Sequence, residues 1–300
     1  RSAFGYSPRR INGAMRRVLG VFPAGAQGGF GFPAGEGIVP SRGEGCWVWD
    51  EAGKPYVDLS MVWGSAFVGH AHPRLVDALR DAAGGGFNFA CVNSNALRLA
   101  ERLVELSPCL ESVRLVTSGT EATMMCLRVA RGATGRRRLL RFEGAYHGQH
   151  PVGIAGMMKV SEPGAPKIHP HGAAAPWVED DVLVAPFNDL ETTSAILETY
   201  ASDLAAVIVE PIHRCIAPQA GFLEGLREVT QRLGIVLIFD EVVTGFRLAL
   251  GGAQEYFGVQ PDLVAYGKAL GGGIPIGAYG GRASLMEVVS EWTTDAPNYV

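Results

Sequence analysis

The sequence has 300 residues, of which 47% are hydrophobic and 19% charged, and its net charge is −4. This length allows one large or two ordinary globular domains with a substantial core. The small negative charge, without a long basic run, argues against binding to nucleic acid or to an anionic membrane. The sequence contains no run of about 18 apolar residues, and because its first residues lack the apolar h-region of a signal peptide we expect none. Its five cysteines form no CxxC pair, so we expect a cytoplasmic protein.

The first part of the chain predicts irregular backbone followed by a hairpin. Residues 24–37 are rich in Gly and Pro and are expected to form a loop. Residues 46–49 and 56–59 read as short strands on either side of a turn at residues 50–53, which predicts a β-hairpin. We therefore assign residues 1–65 to an N-terminal segment with a β-hairpin.

Helix and strand patterns alternate beyond residue 70. Apolar residues at three- and four-residue spacing predict helices over residues 73–83, 94–106, 121–131 and 222–233. Short apolar runs predict strands over residues 113–116, 138–142, 182–187, 204–209, 235–239 and 263–266. Buried strands that alternate with amphipathic helices indicate an α/β domain with a mostly parallel sheet flanked by helices.

Lys268 follows the last of these strands in a glycine-rich segment. The chain has only four lysines beside 22 arginines, and a lysine can lose its proton and attack a carbonyl, which an arginine cannot. Lys268 could instead be a surface residue of a loop. The glycines around it favour a site, since they let a ligand approach the backbone closely.

Two carboxylates, Asp240 and Glu241, end the strand predicted over residues 235–239. A magnesium site and a pair of solvated charges are two interpretations of them. A third is a partner for a pyridinium nitrogen, which would give the acid a charge-assisted hydrogen bond and a lowered pKa. Ligands of such sheets bind beyond the carboxyl ends of the strands, where Asp240 and Lys268 both fall. A lysine and an acid are what pyridoxal 5'-phosphate requires.

Two further segments follow strands. Residues 117–122 open a helix, so Ser118 and Thr120 could either bind a phosphate or cap the helix. Tyr146 follows the strand over 138–142 and could either stack on a flat heterocycle or cover the core. The histidines are accompanied by no cysteine ligands and no HExxH helix, so we predict no metal site from them. They are His147, His150, His169 and His171.

Together these segments resemble the class III (fold type I) pyridoxal-phosphate aminotransferases, most closely the branch that contains glutamate-1-semialdehyde aminomutase. The motifs that carry the resemblance are Gly69-His70-Ala71-His72-Pro73, Ser118-Gly119-Thr120-Glu121-Ala122, Tyr146-His147-Gly148, Glu210-Pro211, residues 240–247 and Gly267-Lys268.

The resemblance implies a fold type I large domain over residues 66–300 and a homodimer with shared active sites. It implies that Lys268 forms a Schiff base with the cofactor, that Asp240 pairs with the pyridine nitrogen and that Val242 packs against the ring. Tyr146 would stack over the ring with His147 beside it, and Ser118, Gly119 and Thr120 would hold the phosphate. The residues expected near the substrate are Trp63, Glu210, His213 and Arg214.

Three departures from the family pattern affect the expected substrate. The aminomutases carry an N-terminal arginine for the substrate carboxylate, whereas residues 24–30 here contain none. His213 and Arg214 replace a neutral, glycine-bearing turn after Glu210-Pro211. Family members also continue beyond this point, so we expect the C-terminal small domain and a phosphate-contacting threonine for the neighbouring subunit to lie outside residues 1–300.

We therefore expect an aminotransferase that moves an amino group from glutamate or glutamine to a carbonyl acceptor, such as a sugar or an aminocyclitol. An acceptor with a carboxylate stays open, because Arg214 or residues after 300 could bind it. Amino transfer within one molecule, as in the aminomutase, is a second hypothesis. A cofactor-binding regulatory domain is a third, although the sequence shows no basic helix-turn-helix.

Overall fold

The computed structural model describes residues 13–23, 37–86, 89–157 and 178–294. These residues belong to two units. The first is formed by residues up to 62 together with residues 68–85, and the second by residues 63–67 and those from 86 onward. The loop expected over residues 24–37 lies almost entirely outside the described residues.

A small antiparallel sheet organises the first unit. Its elements are α1 (Gly13–Val21), β1 (Pro40–Glu44), β2 (Trp47–Asp50), β3 (Pro55–Val57), α2 (Met61–Gly64, which runs into the second unit) and α3 (Pro73–Gly85). The sheet order is β1-β2-β3. Asp50 fixes the turn between β2 and β3, because its Oδ1 accepts from the backbone N–H groups of Ala52 and Lys54 at 3.0 and 2.9 Å. The predicted hairpin is confirmed, whereas β1 was not predicted.

A seven-stranded sheet organises the second unit. Its strands are β4 (Ser112–Val116), β5 (Arg138–Phe142), β6 (Val182–Ala185), β7 (Leu204–Val209), β8 (Val236–Asp240), β9 (Leu263–Tyr266) and β10 (Gly277–Gly281). The order is β4-β10-β9-β8-β7-β5-β6. The pairs among β5 to β9 are parallel, and β10 is antiparallel to both β4 and β9.

Helices cover both faces of this sheet. They are α4 (Ser94–Leu106), α5 (Gly119–Thr134), α6 (Pro151–Ile154), α7 (Val178–Asp181), α8 (Leu190–Thr199), α9 (Phe222–Leu233), α10 (Gly252–Phe257) and α11 (Ala283–Thr294). An α/β fold with a mostly parallel sheet is therefore confirmed. None of the helices in the described ranges is both long and apolar enough to cross a membrane.

Side-chain alternation along the central strands builds one core on each face. In β8, Leu237 and Phe239 pack in the core that includes α9, whereas Val236 and Ile238 pack in the core that includes α5. Fully burying such a side chain stabilises the fold by about 1.5–3 kcal/mol. The same period of two places Asp240, the last residue of β8, on the face of α5.

β10 differs most from the sequence prediction. Its residues form no apolar run, yet they pair with both neighbouring strands. A Cβ atom on Gly280 would lie 2.1 Å from the carbonyl oxygen of Ser112, and one on Gly281 would lie 2.1 Å from that of Asp262. Glycine is therefore required here by the close approach of neighbouring backbone, and this requirement hides the strand from a hydrophobic pattern.

Candidate active site

The carboxyl ends of five strands meet at one edge of the large sheet. β5, β7, β8 and β9 are parallel, and β4 has the same direction as β9 because each is antiparallel to β10. Each of these ends carries a residue that the sequence singles out. These residues are Ser118, Tyr146, Glu210, Asp240 and Lys268.

Glycines allow three of these ends to come into close contact. A Cβ atom on Gly119, at the start of α5, would lie 2.8 Å from Cγ1 of Val242. One on Gly267 would lie 3.3 Å from the same Cγ1 and 3.4 Å from the Cα of Gly119. The start of α5, the loop after β8 and the residue before Lys268 therefore leave no room for a further side chain between them.

The start of α5 is capped by its own residues. Ser118 is the N-cap, and its Oγ accepts from the backbone N–H of Glu121 at 3.1 Å. Glu121 accepts in turn from the backbone N–H and the hydroxyl of Thr117 at 2.9 and 2.8 Å, and these bonds lower its pKa. Capping by Ser118 is thus observed. It leaves the hydroxyl hydrogen and the helix N-terminus available to an anion.

The loop after β5 passes directly over Thr120. Gly148 has a φ of 109°, and a Cβ atom there would lie 2.8 Å from the Cα of Thr120. Next to it, the backbone N–H of Gln149 donates to Oγ1 of Thr120 at 3.4 Å. The loop that bears Tyr146 and His147 is therefore held close to the start of α5.

A buried hydrogen bond joins His147 to Asp240. Nδ1 of His147 lies 2.7 Å from Oδ2 of Asp240, and the two side chains are 0% and 5% exposed. The other oxygen, Oδ1, accepts from the backbone N–H of Val242 at 3.1 Å. Burial lowers the pKa of His147 to about 4, although the bond to Asp240 acts in the opposite direction. The imidazole is therefore neutral at pH 7 and donates its Nδ1–H to the carboxylate.

Lys268 begins a short 3-10 turn, Lys268–Leu270, after β9. Its φ of 42° lies in the left-handed region, which is uncommon for a residue with a side chain. Burial lowers the pKa of Lys268, and the carboxylates of Asp240 and Glu210 partly offset this effect. The amine is thus held in partly desolvated surroundings near two acids, where its neutral form becomes easier to reach.

Glu210 and His213 form a second buried pair after β7. Oε2 of Glu210 lies 3.6 Å from Nδ1 of His213, which is too long for a hydrogen bond, and neither atom has another partner within the described ranges. Burial, followed by repulsion from Asp240, raises the pKa of Glu210 to about 7. The ring of His213 stacks on Phe187 with centroids 4.8 Å apart, and burial lowers its pKa.

Arg214 is engaged with the loop that carries Tyr146. Its φ is 60°, so the predicted departure from a glycine-bearing turn places an arginine in a left-handed conformation. Its Nε and Nη2 both donate to the carbonyl oxygen of Gly144 at 3.2 Å. Its guanidinium also lies 5.7 Å from the ring centroid of Tyr146, whose hydroxyl accepts from Nε2 of Gln149 at 3.0 Å.

Trp63 is 62% exposed and lies in a segment next to Arg247. Nη2 of Arg247 donates to the carbonyl oxygen of Gly64, and its guanidinium lies 4.7 Å from the ring centroid of Phe67. The role of Trp63 as a substrate contact stays a prediction.

Glu241 bonds to a different part of the fold from its neighbour Asp240. It is fully buried and accepts from the backbone N–H of Ala253, from Nε2 of Gln254 and from the hydroxyl of Thr244 at 2.6, 3.1 and 2.9 Å. These bonds hold the start of α10. Glu241 is thus neither solvated nor placed to share an ion with Asp240.

No group of three or more His, Cys, Asp or Glu side chains arranged to hold a metal occurs among the described residues. In the loop after β5, His147 is buried and His150 is half-buried, and desolvation lowers the pKa of each to about 4. His169 and His171 lie outside the described ranges.

Sequence reasoning overlooked Arg141, a fully buried arginine in β5. Its Nη1 donates to the carbonyl oxygen of Val152 at 2.8 Å, and its Nη2 donates to that of Ala145. The available signal was a charged residue one position before the end of an otherwise apolar stretch, Leu139-Leu140-Arg141-Phe142. A charge in that place is rare unless it has a specific partner.

Comparison with known proteins identifies the family. The family model "Aminotransferase class-III" matches residues 33–296. A protein of Brevibacillus brevis named glutamate-1-semialdehyde 2,1-aminomutase 2 is 43% identical over 295 residues, which are 95% of this chain and 64% of that protein.

Solved structures agree with this match. A crystal structure of an omega-transaminase from Sphaerobacter thermophilus is 38% identical with a TM-score of 0.85, and the alignment covers 91% of this chain and 64% of that one. A structure described as a transaminase with PLP bound is 31% identical with a TM-score of 0.83, at the same coverages of 91% and 64%. The chain thus spans about 64% of the length of these relatives. It belongs to the class III aminotransferase family.

Proposed function

We propose that this chain forms the cofactor-binding large domain of an aminotransferase that uses pyridoxal 5'-phosphate. The observation that carries the proposal is the common sheet edge, where Lys268, a His147-supported Asp240 and the glycine-lined start of α5 come together. Each supplies a different part of what the cofactor needs, namely an amine, an acid and an anion site.

The chemistry of these residues fits the cofactor. Nε2 of His147 is buried without a hydrogen-bond partner in the described part of the chain, as expected of a polar wall beside a bound group. The start of α5 presents backbone N–H groups beside Gly119, and Ser118 and Thr120 add hydroxyls that can donate to a phosphate. Asp240 is buried and is acceptor-only while ionised, which suits a pyridinium N–H.

The roles of the side chains follow from these positions. Bound pyridoxal phosphate supplies an aldehyde for amines and a ring that withdraws electrons. Lys268 would bind the aldehyde, and its amine would move a proton as general acid and base when an amino donor is bound. Asp240 holds a proton at the pyridine nitrogen, while Ser118, Gly119 and Thr120 bind the phosphate. Val242 would pack against the ring, and Tyr146 would stack over it.

The relatives support this assignment. One solved neighbour is described as a transaminase with PLP bound and another as an omega-transaminase. A third, a β-phenylalanine aminotransferase from Variovorax paradoxus, is 34% identical with a TM-score of 0.78.

We propose glutamate or glutamine as the donor and a carbonyl sugar or aminocyclitol as the acceptor, because residues 24–30 contain no arginine for a carboxylate.

Glu210, His213, Arg214 and Trp63 are the proposed substrate contacts. Glu210 and His213 are each buried with an unpartnered polar atom in the described part of the chain, so a polar substrate group could join them. Arg214 carries a charge next to Tyr146. It could bind a carboxylate through the guanidinium donors that do not bond to the carbonyl oxygen of Gly144. An oxo-acid acceptor recognised by Arg214 is therefore the nearest alternative within the same reaction class.

Intramolecular amino transfer is the second candidate function. It is favoured by the names of the relatives, since the Brevibacillus protein and one from Syntrophobacter fumaroxidans, each 43% identical, are called glutamate-1-semialdehyde 2,1-aminomutases. The missing arginine at residues 24–30 opposes it, because the aminomutase substrate carries a carboxylate that would lack its guanidinium partner.

One assay separates these functions. The protein is incubated with pyridoxal phosphate and glutamate or glutamine, and each donor is tested against carbonyl sugars, 2-oxo acids and 3-oxo acids. Donor-dependent amination of a sugar supports the first function, and amination of oxo acids alone supports the alternative acceptor. Formation of 5-aminolevulinate from glutamate-1-semialdehyde without any donor identifies the aminomutase. Failure to aminate any acceptor or to use any donor would contradict the proposal.

We also propose that the protein is a homodimer. The second unit exposes large apolar side chains, among them Trp63 at 62%, Phe67 at 50% and Val92 at 77%. Such surface supports a subunit contact, and the family resemblance gives the dimer a reason, since its active sites are shared. Light scattering that shows an active monomer would contradict the proposal.

A further inference from the structure

Arg141 is a buried cation for which the proposed reaction gives no role. The side chain is 0% exposed, and no carboxylate lies within ion-pair distance of it among the described residues. Its Nε has no hydrogen-bond partner in the same ranges, and burial lowers its pKa to about 9. Burying a guanidinium in this way is costly unless its remaining donors are well used.

The two used donors join the two arms of one loop. Nη2 donates to Ala145 on the arm that leaves β5, and Nη1 donates to Val152 on the returning arm, within α6. Two backbone bonds close the loop at neighbouring positions, from Gly144 N to Gly156 O at 2.9 Å and from His147 N to Gly153 O at 3.0 Å. The planar guanidinium donates to the two arms from two separate nitrogens in a fixed geometry, whereas a lysine holds all its donors on one nitrogen.

The clamped loop carries His147. Ala145 lies two residues before it, and Val152 lies in a helix whose N-cap, His150, accepts from Gly153 N at 3.0 Å through Nδ1. Nε2 of His150 also lies 3.1 Å from the carbonyl oxygen of His147. Arg141 therefore bonds to the chain on both sides of His147, at Ala145 and at Val152.

Several titratable groups interact electrostatically with Arg141. They are Glu210, Asp240, His213 and Arg214 at the ends of β7 and β8, and His147 and His150 in the loop itself. The imidazoles of His147 and His150 are neutral at pH 7. Glu210 and Asp240 favour the charged form of Arg141, whereas Arg214 opposes it.

We propose that Arg141 is a positioning residue, whose fork clamps the two arms of the loop over residues 143–153 and thereby holds the His147 imidazole against Asp240. The importance of this pair for a cofactor rests on the proposed function. The clamp itself is a property of the protein alone and can be measured without cofactor.

The test compares Arg141→Lys and Arg141→Met with Arg138→Lys. Arg138 lies on the same strand but pairs with Asp203 at 3.1 Å and is partly exposed, so it is a matched control. Amide hydrogen exchange is followed by mass spectrometry, and the imidazole nitrogens of His147 are followed by NMR. Both measurements are made with and without added pyridoxal phosphate.

We expect amides over residues 144–155 to exchange about tenfold faster or more in both Arg141 variants, with β7 and β8 unchanged. The His147 nitrogens should lose the signature of a fixed Nδ1–H, and Arg138→Lys should change neither readout. We expect Arg141→Lys not to restore slow exchange or the His147 signals, because lysine keeps the positive charge but lacks the two separate Nη donors. A loop that exchanges normally around an unchanged His147 in Arg141→Lys would overturn the proposal.

Two further outcomes remain decisive. If neither Arg141 variant folds, hydrogen exchange in the unaltered protein tests the proposal. Amides of residues 145–153 that are as protected as those of β7 would support the clamp, and unprotected amides there would contradict it. If the clamp is observed but pyridoxal phosphate does not attach to Lys268, the proposed function fails while this inference stands.

Discussion

Nδ1 of His147 donates to Oδ2 of Asp240 across 2.7 Å, and both side chains are almost completely buried. The two residues come from the loop after β5 and the end of β8, which are separated in the sheet by β7. Their bond joins two strand ends and leaves Oδ1 to the backbone N–H of Val242. Asp240 is thereby held in one orientation before any ligand binds.

Replacing His147 should therefore destabilise the protein even without cofactor. His147→Phe removes the donor and leaves a buried carboxylate with one hydrogen bond fewer, so we expect the free energy of unfolding to fall by about 1.5–3 kcal/mol. Urea unfolding measures this. His147→Asn keeps an N–H donor, so its free energy of unfolding should fall clearly less than that of His147→Phe. Equal stability of the Phe variant and the unaltered protein would show that the bond does not matter.

Glu210 should make the stability of the protein depend on pH. Its pKa is raised to about 7 from 4.5, so the folded protein keeps a proton that the unfolded chain has lost. This contribution is fully present below pH 4.5 and is lost as the pH rises towards 7. Glu210→Gln cannot lose a proton, so its stability relative to the unaltered protein should increase over this window by up to about 3 kcal/mol.

Urea unfolding between pH 4.5 and 8 tests the Glu210 prediction. Exposed Glu224 on α9 offers a control, Glu224→Gln, which should track the unaltered protein. Asp240, Arg141, Arg214 and His213 all face Glu210 or lie beside it, and they are present in both proteins, so the difference isolates the carboxyl. A stability difference that does not change with pH would refute the prediction.

The contact between Gly119 and Val242 predicts a specific rescue. In Gly119→Ala the new Cβ would meet both methyl carbons of Val242, at 2.8 and 2.9 Å, so we expect a loss of about 1–3 kcal/mol in unfolding free energy and weaker binding of pyridoxal phosphate. Adding Val242→Ala should recover part of the stability, because it opens the space that the Cβ needs. In a control on α3, Gly84→Ala has open space and should be neutral or stabilising. If the stability losses of Gly119→Ala and Val242→Ala were additive in the double variant, the two residues would not be in contact.

Arg214 separates two kinds of substrate. If it binds the carboxylate of a donor or an acceptor, Arg214→Ala should lower kcat/KM for that substrate about 10- to 100-fold, as expected for the loss of a charged hydrogen bond. The effect should be absent for a neutral acceptor. Equal kcat/KM values for every donor and acceptor would place Arg214 outside the substrate site, with its bond to Gly144 as its only role.

Much of the fold could be predicted from the sequence, because the central strands are continuous apolar runs. The helix over 94–106 and the strands over 138–142, 204–209 and 263–266 have the predicted bounds. The strand over 235–239 was displaced by one residue, since the pattern stops at Phe239 while pairing continues through Asp240. The helix over 121–131 begins two residues earlier, because Ser118 caps it. The division of the chain at residue 65 stays a prediction.

The site was less accessible to sequence reasoning than the fold. Lys268, Asp240 and Ser118 stand out because a polar residue follows an apolar run, and the parallel sheet brings such residues to one edge. Their assigned roles stay predictions. The bond between His147 and Asp240 and the clamp at Arg141 depend on how a loop folds back on itself, and no periodic pattern encodes that path. Glycines 119, 148 and 267 are visible in the sequence, but the neighbours that require them are not.

The central claim is that Lys268 holds pyridoxal phosphate, and covalent trapping tests it most directly. The protein is loaded with pyridoxal phosphate, reduced with borohydride, digested and analysed by mass spectrometry. The other lysines, Lys54, Lys159 and Lys167, are internal controls. We predict stoichiometric label on Lys268 alone, a near-visible absorbance band that reduction abolishes, and loss of both in Lys268→Ala. Label spread over the other lysines, or an unchanged band in Lys268→Ala, would contradict the account.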